Sequence, residues 1–102
     1  MREPPASYRQ WFSEVVACAD RQDLDTAGRF AAIQWWTAER IRYTDSTNPE
    51  RPRLYATWTY PHRIIVRRDQ TGNEEVVKHE LVHDILGMRG HDSPLFRDCA
   101  GN

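Results

Sequence analysis

Near its C-terminal end the chain reads KHELVHDILGMRGHDSPLF, from Lys78 to Phe96, and three of its four histidines fall in this stretch. Two of them bracket a glutamate as His79-Glu80-Leu81-Val82-His83. Whether this segment is a helix that grips a cation, or only a charged helix, decides how the rest is read. At about 100° per residue, Val77, Leu81, Ile85 and Met88 share one face, which predicts the side turned to the core. His79 and His83 stand one turn apart on roughly the opposite face. Val76, Val82 and Leu86 flank them, so that face is also partly covered. A helix with apolar residues on both sides and two imidazoles among them is expected to line a pocket.

The spacing carries chemistry. Imidazoles at i and i+4 can aim nitrogens at one ion, as tetrahedral zinc requires. Glu80 lies about a quarter turn away, too far round to join them as a ligand but placed to act as general base on a zinc-bound water. A catalytic zinc takes three protein ligands and keeps one position open. No glutamate follows Glu80, which excludes a glutamate as third ligand. A longer pattern with Gly at 86 and His at 89 is excluded by Leu86 and Arg89. His91, Asp92 and Asp98 remain, with Asp84 expected to point away from the histidines. Gly87 and Gly90 let the chain leave the helix and fold back, which favours His91. Asp92 is the second choice, or a carboxylate that orients a ligating imidazole.

The helix itself is expected to start at a capping box formed by Thr71 and Glu74, with Glu74 and Glu75 favourably placed in its first turn. Gly87 or Gly90 ends it. Ser93-Pro94 then predicts a short terminal helix. At the other end, Ser7 to Asp20 reads as a first helix capped by Ser7, with an apolar stripe of Tyr8, Trp11, Phe12, Val15, Val16 and Ala19. Between the two, period-two patterning predicts a strand at Ala32–Ala38, although its alanine-rich start is compatible with helix. Thr44–Pro52 is rich in breakers and reads as a loop. Arg53–Tyr60 and His62–Asp69, interrupted by Pro61, read as an antiparallel pair. The fold class is therefore α+β, one domain over residues 1–102, with a small, mostly antiparallel sheet.

Composition narrows the function classes. With 39% hydrophobic and 28% charged residues the chain is expected to fold rather than remain disordered. The formal net charge of −1 makes a nucleic-acid partner an unfavoured expectation. The arginines at Arg51–Arg53 and Arg63–Arg68 read first as solvated strand and loop edges. No apolar run is long enough to span a membrane, and the N-terminus lacks a signal core. A cytoplasmic protein, or an extracytoplasmic one whose leader has been removed, both fit, and a monomer is expected. The two cysteines, Cys18 and Cys99, are either buried thiols or a staple between the ends.

The motif HELVH followed by GHDSPLF resembles the small zincin-like metallopeptidases of the SprT-like and WLM type. There the active-site helix is followed by a short turn, a histidine and then a phenylalanine. The matching positions are His79, Glu80, His83, His91 and Phe96, although the interval from His83 to His91 is longer than those families usually show. More broadly, Cys18, Trp35, Trp58 and Phe96-Arg97-Asp98-Cys99 follow the layout of small bacterial, often extracytoplasmic, metallopeptidase-like domains. The resemblance implies a minimal zincin-like domain, a Zn2+ cofactor, a Cys18–Cys99 disulfide and hydrolysis of peptide or protein substrates. It also implies that the strand before the active-site helix, the segment from His62 through Ile64 to Arg68, edges the cleft and pairs with an extended substrate. Tyr43, Tyr60, His62 and Arg89 are the candidate oxyanion donors. The competing expectation is a recognition module whose three histidines hold a vestigial or structural zinc, with Cys99 available as a fourth ligand if it is not in a disulfide.

Overall fold

The computed structural model describes residues 3–21, 25–39, 41 and 55–101. Four helices and three strands follow in the order α1 (Ala6–Cys18), α2 (Thr26–Ala32), β1 (Gln34–Ala38), β2 (Ala56–Thr59), β3 (Arg63–Arg67), α3 (Glu74–Leu86) and α4 (Leu95–Ala100). A 3-10 turn at Arg68–Gln70 links β3 to α3. The fold is α+β, as expected.

The sheet corrects the expectation of a mostly antiparallel one. Its order is β1-β3-β2; β1 runs parallel to β3, whereas β2 runs antiparallel to it. Period-two patterning identifies a strand but is silent on its partner, and the β1–β3 pairing is non-local. β3 is consequently central rather than an edge. Its residue Ile64 is fully buried between Trp35 and Trp58.

Alternation along the strands builds the core. Trp35, Ile64 and Trp58 align across the sheet, beside Val66 and the half-buried Ala56, and all face the helices. Against them pack Tyr8, Phe12, Val15 and Val16 of α1, Val77, Leu81, Val82 and Ile85 of α3, and Phe96 of α4. On the opposite sheet face Trp36 is half-exposed beneath the Arg63 guanidinium, 5.7 Å from the ring centroid.

Several boundaries move for local reasons. The alanine-rich segment before β1 is helical: Asp25 caps α2 by accepting from Gly28 N at 3.1 Å, so β1 starts at Gln34 rather than at Ala32. Pro5, not Ser7, is the first cap, with no side-chain bond. Asn73, not Thr71, caps α3, its side chain accepting from Val76 N at 3.3 Å. Gly87 ends α3 in the left-handed region at φ 70°, where glycine alone is unstrained. Met88 therefore lies beyond the helix and is exposed instead of joining the core stripe. β2 is shorter than expected, leaving Tyr60 exposed in the turn. Arg53, Leu54 and the expected loop at 44–52 lie outside the described residues, as does the arginine group at 51–53.

Cys18 and Cys99 form a disulfide with their Cα atoms 5.7 Å apart. It joins the end of α1 to α4. No helix among the described residues is long and apolar enough to cross a membrane.

Candidate metal centre

α3 sets the site. His83 is buried in its last turn, His79 lies half-buried one turn before, and His91 stands exposed after the turn that Gly87 opens. One nitrogen from each of the three rings lies within 4.8 Å of the others. His83 Nε2 and His91 Nε2 are 3.1 Å apart. Two nitrogens bonded at about 2.1 Å to one tetrahedral ion stand roughly 3.4 Å apart, so this pair is already near the spacing of co-ligands. Asp92 and Asp98 do not belong to the cluster; both are exposed, and Asp98 meets Arg97 at 3.2 Å. His91, the first choice from sequence, is the histidine that the turn brings back.

The His83 ring has a fixed tautomer. Its Nδ1 lies 2.9 Å from the Met88 carbonyl oxygen, which can only accept. Nδ1 therefore carries the proton, and Nε2 presents a lone pair toward His91. Burial holds the His83 pKa below the ordinary histidine range, and the neighbouring His91 and Arg89 add to the effect against the Met88 bond. A neutral imidazole is the form that ligates a metal.

One aromatic ring braces all three histidines. The Phe96 centroid is 4.8 Å from that of His79, 4.7 Å from His83 and 5.1 Å from His91. On the other side the Trp58 indole stacks on His83 at 5.9 Å and 13°. The donor set of three imidazoles, held by packing and one fixed tautomer, fits a divalent transition ion.

Glu80, between His79 and His83, is 5% exposed. Burial alone pushes its pKa up to about 8. No neighbouring charge offsets that rise. Burial makes the charged form of an acid costly, and a nearby dication would return it to its ionised form.

The remaining sequence candidates separate. Ile64 is sealed in the core and presents nothing to a ligand. Tyr43 lies outside the described residues. Tyr60 is 73% exposed, edge-on to Trp58 at 6.3 Å. His62 is half-buried, with Nδ1 2.8 Å from Asp84 Oδ1. Asp84 is fully buried and also accepts from Trp58 Nε1 at 3.2 Å, while its carbonyl oxygen accepts from Arg29 Nη2 at 2.8 Å. Sequence reasoning turned Asp84 away from the histidines, correctly, but missed this hub. The signal was present: Val77, Leu81 and Asp84 fall at i, i+4 and i+7, the core stripe of α3. An acid on that stripe needs donors, and Trp58 and His62 supply them to Oδ1, while Arg29 Nε stands 3.6 Å from Oδ2 as a countercharge. The common contact of Phe96 had no sequence signal beyond its position after His91.

Comparison of the chain with models of protein families, with curated proteins and with solved structures finds no match.

Proposed function

We propose that the chain is a zinc-dependent peptidase of the zincin-like kind, with His79, His83 and His91 as metal ligands and Glu80 as general base. The observation that carries this reading is the pairing of a three-imidazole cluster with a buried carboxyl on the same helix. A zinc ion there would supply Lewis acidity to a water and to the scissile carbonyl. Glu80 takes a proton from the attacking water at one carboxylate oxygen and delivers it to the nitrogen of the departing amine. The balance is one peptide bond and one water consumed, one acid and one amine formed. Among the described residues β2 pairs with β3 alone, so its outer side is unpaired among them, and β2 packs on α3. An extended substrate adds to that edge, a role sequence reasoning gave to β3. The Cys18–Cys99 bond fits an oxidising compartment.

The alternative reading, a non-catalytic zinc-binding recognition module, calls for a fourth protein ligand. Cys99, the residue considered for it, is bonded to Cys18. The test measures zinc content and hydrolysis of a general peptide substrate together. His83→Ala is expected to lose its zinc. Glu80→Gln is expected to keep zinc and lose at least about 100-fold in kcat. Full activity in Glu80→Gln would remove the proposed base, and undiminished zinc in His83→Ala would remove the site.

A further inference from the structure

The buried carboxylate of Asp84 has no part in the chemistry above, yet it holds the ring of His62 at Nδ1. Oδ1 already accepts from the Trp58 indole, a donor only, and lies 2.8 Å from His62 Nδ1. Nδ1 is therefore the protonated nitrogen, and the neutral ring keeps its lone pair on Nε2, on the side away from Asp84. The residue is pinned at its backbone too, since its carbonyl accepts from Gln34 N at 2.7 Å. Its side chain remains 29% accessible, so the open end of the ring is not sealed into the core. The same Trp58 that shares Asp84 with His62 lies against His83. His62 also lies in the turn between β2, the strand assigned to the substrate, and β3. Through Asp84 and Trp58 this pre-aligned acceptor is tied to the ring of His83.

We propose that His62 is a substrate-contacting residue whose Nε2 accepts a main-chain N–H of the bound peptide, and that Asp84 is its positioning residue. Main-chain amides are the donors every peptide carries, so the contact binds substrate without selecting its side chains. The inference rests on the peptidase reading and deepens it.

Two measurements test it. First, the Glu80→Gln protein, zinc-loaded and labelled with 15N in its histidines, is titrated with oxidised insulin B chain. The expected spectrum has His62 protonated on Nδ1 and bare on Nε2, with the Nε2 signal moving as peptide is added. Second, hydrolysis of the same peptide is followed. His62→Ala is expected to raise KM roughly five- to tenfold, with kcat and zinc content kept, the scale of one hydrogen bond. His62→Gln, which offers an amide oxygen, restores part of the loss. Asp84→Asn retains an oxygen for both donors and leaves KM within about twofold. A His62 ring protonated on Nε2, a stationary Nε2 signal at saturation, or an unchanged KM in His62→Ala overturns the proposal. If wild type cuts the peptide and His62→Ala behaves identically, this inference falls alone. If wild type neither cuts nor, as Glu80→Gln, binds it, the peptidase reading falls with it.

Discussion

Phe96 is the residue on which the three histidines converge, and its loss separates packing from ligation. The ring donates nothing to a metal, yet it limits the rotamers of all three imidazoles. Phe96→Ala removes a buried aromatic, an expected loss of about 3–4 kcal/mol in stability. If the proposed zinc site holds, zinc affinity should fall as well, by about 10- to 100-fold, as for other groups that orient ligands; chelator competition reads it. Phe96→Leu should recover most of the stability but less of the affinity, because a branched aliphatic fills volume without a flat wall. Tyr8 makes a second residue-scale case. It is fully buried, its hydroxyl donates to the Thr71 carbonyl at 2.6 Å, and burial pushes its pKa up to about 12. The fold therefore favours the neutral phenol. That contribution is fully present below the ordinary tyrosine pKa near 10 and disappears as pH rises from there to about 12. Stability followed by circular dichroism should drop across this window in wild type and drop less in Tyr8→Phe, which is itself weaker by about 1 kcal/mol at neutral pH. Equal alkaline profiles in the two proteins would remove Tyr8 as the cause.

At the scale of elements, what could be read from the chain and what could not divide along local against non-local information. α1, α3 and the short α4 were legible, because apolar spacing and breakers act within a few residues. So was the return of His91, since Gly87 opens the turn that carries it. The first residue of α3 was not, because Thr71 and Asn73 are both acceptable caps and only the geometry after the 3-10 turn selects between them. That selection is measurable. Asn73→Ala should destabilise the fold by about 1 kcal/mol, whereas Thr71→Ala should stay within about 0.5 kcal/mol; the reverse order in chemical denaturation would return the cap to Thr71. β1 was shifted because a short alanine-rich segment satisfies helix and strand patterns alike, and Asp25 tips it to helix. The parallel pairing of β1 with β3 and the burial of Ile64 lay beyond reach, since no residue in either strand encodes its neighbour. The same limit hid the Asp84 hub, whose donors come from α2, β2 and the turn before β3.

For the whole molecule, the ends hold the centre. A chain of 102 residues buries a small core, and domains of this size have about 5–10 kcal/mol of net stability. The Cys18–Cys99 bond spans a sequence separation of 81, and closing a loop of that length is worth about 4 kcal/mol through the unfolded chain. It is thus a large share of the total. The bond also lies on the element that bears Phe96, three residues before Cys99 in α4, so stability and site order are linked through one short helix. A ligand that binds only the folded form adds about 2.7 kcal/mol at a concentration 100 times its Kd. Zinc and the disulfide should therefore compensate for each other in part. The double variant Cys18→Ala, Cys99→Ala is expected to unfold at a midpoint lower by the equivalent of about 3–4 kcal/mol in the presence of chelator. Added zinc should recover part of that loss, and should recover none when His83→Ala is introduced as well. Thermal melts of the four combinations decide it: a disulfide-free protein that melts like wild type, or a zinc-induced rise that survives His83→Ala, would break the link between the staple, α4 and the histidine cluster.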